Sequence, residues 1–171
     1  MNGDLLQTKL IIPLPRPNLV PRSHLVERLD AGRAVGGKFS LICAPAGFGK
    51  TTLAAEWVHS REQVVSWLSL DADDNDPVRF LTYFLASFKR SAEGRDQNGW
   101  SELGIESLRV LQSAQRAPLN VVLTGVINQI AAIREPIIFV LDDYHLIQEN
   151  AIHQAVTFLL DNQPPNFHLV M

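Results

Sequence analysis

The amino-acid sequence predicts an α/β fold, a parallel sheet with helices packed on both faces. Three observations carry that expectation. Apolar runs of strand length alternate with stretches of helical periodicity, and parallel neighbours need such helical crossovers. A glycine-containing loop, Pro45 to Gly49, joins the first apolar run to a helix. A later run, Ile137 to Leu141, is wholly apolar and leads directly into Asp142-Asp143. The 171 residues suit one domain at roughly 150 residues per domain. With 46% hydrophobic and 19% charged residues, the chain can bury a core rather than stay disordered.

In chain order, residues 8–22 hold Pro13, Pro15, Pro17 and Pro21 and read as an extended segment, because proline fixes φ and removes backbone donors. Ser23 is placed to cap a helix whose stripe begins at Leu25, Val26 and Leu29 and which Gly32 and the Gly36-Gly37 pair end. Residues 39–44 then read as a buried strand, with Cys43 inside it as a small hydrophobe. A helix follows over 50–60, with Leu53, Ala54, Trp57 and Val58 on one face, and a strand over 64–70.

Asp76-Pro77 has the form of an N-cap followed by proline at the first helical position. Phe80, Phe84 and Phe88, with Leu81 and Leu85, stripe the helix that it opens. Residues 91–104 are polar and read as a surface loop. Ile105, Leu108 and Leu111 suggest a short helix, and Pro118 opens another with Val122, Val126, Ile130 and Ile133 on one side. After the third strand, Ile152, Ala155, Val156 and Leu159 mark a helix stopped by Pro164-Pro165. His168 to Met171 open a fourth strand, so the domain is expected to be incomplete at its C-terminus.

Charge and cysteine content exclude several functions. Fifteen basic against 18 acidic residues give a net charge of −3, which is not the footprint of a nucleic-acid module. A lone cysteine rules out an internal disulfide or a cysteine zinc cage and suits a reducing cytoplasm. Residues 1–16 lack a signal-type apolar core, and no run approaches the ~20 residues of a membrane span. The five histidines have no metal-ligand spacing; His145 reads as a turn residue and His153 as a helix-surface residue. Trp57, Trp67 and Trp100 read as core or interface aromatics, since no basic groove accompanies them.

The chemistry concentrates at two places. Residues 44–52 match the phosphate-loop pattern G-x-x-x-x-G-K-[ST], except that Ala44 stands in place of the first glycine. Gly47 and Gly49 let the backbone curl so that the N–H groups of Ala46 to Thr52, including that of Phe48, point at a phosphate on a helix N-terminus. Lys50 would reach the β- and γ-phosphates, the Thr51 hydroxyl would bind Mg²⁺, and Thr52 would donate to the α-phosphate. At the end of the third strand, Asp142 would hold Mg²⁺ through its waters. Asp143 is the candidate base or orienter of an attacking water. Either half alone could be a turn; together they make one nucleotide–magnesium site.

Four linked segments, TKLIIPLPRPNLVPR, CAPAGFGKTTLAAEW, VSWLSLDADDNDPVRF and FVLDDYHLI, resemble the nucleotide-binding domain of MalT-like, LuxR-type regulators of the STAND class. The resemblance spans almost the whole chain and is weakest over residues 91–117. It implies a three-layer P-loop NTPase fold of the ASCE/STAND type, here truncated after the fourth strand. Residues 1–36 would form an extended segment and first helix, and 37–171 the nucleotide-binding domain. It further implies an ATP switch with an ADP-bound resting state, and places Val20 and Arg22 near the adenine. Self-association, and DNA binding through a C-terminal helix-turn-helix outside this chain, are implied for the full protein. Residues 73–77 match a family signature, although a solvated turn capping a helix explains them equally well.

The leading expectation is therefore an ATP-binding regulatory switch. A catalytic P-loop ATPase or kinase, in which turnover is the function, is the alternative. A degenerate interaction module is disfavoured by the intact Lys50, Thr51 and Asp142.

Overall fold

A computed structural model describes residues 5–14, 20–61, 63–92, 103–112 and 118–171. Four parallel strands, β1 (Phe39–Ser40), β2 (Val64–Ser69), β3 (Ile137–Asp142) and β4 (Phe167–Val170), form one sheet in the order β1-β4-β3-β2. Among the described residues six helices accompany it: α1 (Ser23–Ala34), α2 (Lys50–His59), α3 (Pro77–Ser91), α4 (Ile105–Gln112), α5 (Leu119–Ala132) and α6 (Asn150–Asn162). Short 3₁₀ turns lie at Gln7–Leu10, Ala72–Asn75 and Tyr144–Leu146.

The period of two along each strand divides the core into two layers. Ile137, Phe139 and Leu141 of β3 face α3, α5 and α6, while Ile138 and Val140 face α2 and α1. Helices thus cover both faces, as expected for a parallel sheet. Phe84 and Phe88 pack on Phe139 with ring centroids 4.5 and 4.9 Å apart, which is why α3 carries aromatics at four-residue intervals. Trp57 and Trp67 are buried in the other layer. Trp100 and most of the loop expected over 91–104 lie outside the described residues, as do Pro15 and Pro17.

Several local expectations need correction. The run 39–44 is not a buried strand: only Phe39 and Ser40 pair as β1, and Leu41 and Cys43 are exposed. β1 is an edge strand bonded only to β4 among the described residues, so its side chains lack the second neighbour that would cover them. Ser23 is not the N-cap of α1. Arg22 holds that position, without a side-chain cap bond, and Ser23 lies inside the helix. The helix also passes through Gly32 and stops at the Gly36-Gly37 pair, where a Cβ on Gly37 would collide with the Gly32 carbonyl oxygen. Asp76 does cap α3, accepting from the Arg79 N–H at 2.7 Å with Pro77 at the first position.

The acidic stretch before α3 is also more than a solvated turn. Asp74 is fully buried and accepts from Lys9 Nζ, from Arg79 Nε at 3.1 Å and from its neighbour Asp71 N–H at 2.9 Å. Lys9 is itself buried, 2.9 Å from Asp71 Oδ2 and over the Tyr83 ring. An N-terminal lysine and a turn some 60 residues later thus clamp the leading segment onto β2 and α3.

Candidate functional site

The phosphate-type loop lies between β1 and α2. Gly49 is the N-cap of α2 with φ 77°, and Gly47 has φ 82°, backbone angles that L side chains rarely adopt. The first α2 bond runs from Leu53 N–H to Gly49 O at 2.9 Å. The N–H groups of Lys50, Thr51 and Thr52 therefore precede the helix ladder, at the positive end of its dipole. A Cβ on Gly47 would meet nothing within 4 Å, so the loop encloses open space rather than protein.

That space is a cavity of about 670 Å³. Ala46, Gly47, Gly49, Lys50, Thr51 and Thr52 line it on one side. Asp143, His145 and Leu146 line it from the end of β3, and Val20 and Arg22 from the leading segment. The Phe48 side chain is exposed and borders a neighbouring cavity instead; its carbonyl accepts from Arg22 Nη1 at 2.8 Å. Arg22 Nη2 would lie 3.1 Å from a Cβ on Gly49, so the guanidinium rests on the loop backbone.

Two residues 91 positions apart meet at the core of the site: Thr51 Oγ1 donates to Asp142 Oδ1 at 2.8 Å. Parallel topology makes the contact. β4 separates β1 from β3, and the C-terminal ends of all three strands, with the start of α2, open to the same side. Partial burial raises the Asp142 pKa above the ordinary 3.8, the Thr51 hydrogen bond opposes that rise, and the Asp143 carboxylate adds to it. Lys50 Nζ is held near the loop, donating to Ala44 O at 2.9 Å and Pro45 O at 3.4 Å. Hard oxygen donors beside a lysine and free helix N–H groups suit a phosphate with a small divalent cation.

A second cavity of about 440 Å³, mainly apolar and lined by Leu41, Cys43, Val140, Asp142 and Met171, meets the first at Ala46, Lys50, Asp143 and His145. Sequence reasoning singled out the loop and the Asp pair but gave three other residues no part in the site. His145 is a turn residue, yet it lines both cavities, with Nδ1 3.8 Å from Asp143 Oδ1. His153 is half-buried rather than a helix-surface residue, sharing a 2.7 Å hydrogen bond with the Tyr144 hydroxyl. Asn75 bonds to the segment after β3, and its place in the 73–77 signature was the one sequence signal that pointed to it.

Residues 21–171 match the family described as AAA ATPase domain. The chain is 35% identical over 167 residues to the HTH-type transcriptional regulator MalT of Yersinia enterocolitica. It is 32% identical to that of Serratia proteamaculans and 34% to that of Cronobacter sakazakii over the same length. Each match covers 98% of this chain but 17% of the relative, so the chain spans about a sixth of the curated proteins that it resembles. Among the described residues no helix is long and apolar enough to cross a membrane. The match over residues 21–171, on a parallel sheet with a glycine loop opening α2, places this chain in the AAA ATPase domain family, as a MalT-like NTPase domain.

Proposed function

We propose that this domain is an ATP-binding switch, and that it controls a longer transcriptional regulator. The observation that carries the nucleotide reading is the 2.8 Å bond between Thr51 and Asp142, which joins the two halves of the expected site. The N–H groups of residues 46–52 would bind phosphate oxygens, and Lys50 would exchange its bond to Ala44 O for the β- and γ-oxygens. Thr52 would donate to the α-phosphate. Thr51 Oγ1 and Asp142 would hold Mg²⁺, directly and through water respectively. Mg²⁺, when bound, neutralises phosphate charge. Val20 and Arg22 border the cavity and would lie beside the base. Asp143 would accept a hydrogen bond from a water beside the terminal phosphate.

The switch reading draws on the relatives, which are named as HTH-type transcriptional regulators. In the full protein the bound nucleotide, ATP or ADP, would set self-association and DNA binding through a helix-turn-helix beyond this segment. Asp143 at the cavity wall favours a second reading, a catalytic ATPase whose turnover is its function.

Titration of the protein with labelled ATP and Mg²⁺ tests the proposal. Wild type should bind, and Lys50→Ala should lose at least about tenfold in affinity, or about 1.4 kcal/mol. Unchanged binding by Lys50→Ala would refute it. Fast multiple turnover that collapses in Asp143→Asn would make the catalytic reading the better one.

A further inference from the structure

We infer that Asn75 is a positioning residue for this site, holding the segment 143–149 so that Asp143 and His145 face the terminal phosphate. The inference rests on the nucleotide reading above and extends it to a residue outside the cavity. All four hydrogen-bonding positions of the Asn75 carboxamide are used. Nδ2 donates to Ala72 O at 3.0 Å and Leu146 O at 2.9 Å, and Oδ1 accepts from the Gln148 and Glu149 N–H groups at 2.6 and 3.0 Å. Two carbonyls face the nitrogen and two N–H groups face the oxygen, so the amide has one sensible orientation.

The segment that it holds is short and constrained. Asp143 has φ 58°, the one positive φ on a non-glycine residue among those described, and that angle turns the chain sharply at the end of β3. Ile147 is buried in the core, and Tyr144 is tied to His153 of α6. Those anchors leave the Asp143 and His145 side chains at the cavity, beside Leu146, whose carbonyl Asn75 holds. Asn75 does not line the cavity itself. Its carboxamide spans the β2–α3 and β3–α6 connections, and the neighbouring Asp74 roots the first of these in the core. The pinned segment is thus a reader of the γ-phosphate, the group that distinguishes ATP from ADP.

The test compares MgATP and MgADP affinities of the purified chain with amide hydrogen exchange of residues 146–149. Asn75→Ala should speed exchange at Gln148 and Glu149. It should also weaken MgATP at least fivefold while MgADP changes less than twofold. Asn75→Asp, which keeps the two acceptor bonds and loses both donor bonds, should recover part of the ATP affinity. Asn166→Ala serves as a stability control, because it removes bonds to Ile130 O and Ile133 O at the far end of the sheet, and it should leave the affinity ratio at the wild-type value. Wild type that binds both nucleotides, with an unchanged ratio or unchanged exchange in Asn75→Ala, overturns the inference and leaves the nucleotide reading standing. A wild-type chain that binds neither nucleotide overturns both.

Discussion

Removing the Asp74 carboxylate should cost this domain more than any surface ion pair could. The side chain is fully buried and accepts from Lys9, Arg79 and the Asp71 backbone, while Lys9 is 5% exposed. In Asp74→Ala the Lys9 ammonium stays in the interior with Asp71 as its remaining partner, 2.9 Å away and about half exposed. Breaking a buried pair from one side costs about 3–5 kcal/mol, and the retained Asp71 contact argues for the lower end. At about 2–4 °C per kcal/mol for a domain of this size, the melting temperature should fall by about 6–12 °C. By contrast Glu106→Ala, which removes the exposed Glu106–Arg109 pair at 3.4 Å, should cost less than about 0.5 kcal/mol. Lys9→Met combined with Asp74→Leu should recover much of the loss, since no buried charge is left unpaired. Urea and thermal unfolding followed by circular dichroism read wild type and the three variants. An Asp74→Ala cost near that of Glu106→Ala would refute the clamp.

Two further predictions concern pH. Burial lowers the His168 pKa below 6.5, with Nδ1 donating to Gly37 O at 2.7 Å and Nε2 accepting from Ser40 Oγ at 3.0 Å. The unfolded chain takes up this proton before the folded one, so stability is complete above 6.5 and falls as pH drops below it. Urea midpoints of His168→Gln should decline less than wild type over that range, and parallel declines would contradict the assignment. For Asp142 the folded pKa is raised, so the folded chain keeps its proton where the unfolded chain has lost it, and stability decreases as pH rises through the window above 3.8. Mg²⁺ competes with the same proton, so Mg²⁺-dependent nucleotide affinity should rise more steeply with pH across that window in wild type than in Asp142→Asn, where only the nucleotide's own phosphate titrates. Equal pH profiles in the two proteins would refute the role of this carboxyl.

Local signals written in the residues themselves determined much of this protein. Alternating periodicity predicted a parallel sheet with helices on both faces. Asp76-Pro77 marked the start of α3, and Gly47, Gly49 and Lys50 marked a loop ahead of a helix, because capping, proline geometry and left-handed glycine act over a few residues. Thr51 and Asp142 were also legible as candidates, one from the glycine-loop pattern and the other from its place at the end of an apolar strand.

Only the tertiary structure decided where those pieces meet and what else holds them. Apart from its bond to the Asp71 N–H, nothing near in sequence distinguishes Asp74, fully buried with Lys9, from Asp73, which is exposed on the same turn. Their difference depends on a partner some 60 residues away. The exposure of Leu41 and Cys43 likewise follows from the edge position of β1, which strand order sets and apolar content does not. Asn75 meets the segment that carries His145 for the same reason: parallel crossovers bring the ends of β2 and β3 side by side. A carboxamide in one connection can then bond the backbone of the other. Composition and period report what a residue prefers, whereas burial and partnership depend on chain segments that only the folded sheet brings together.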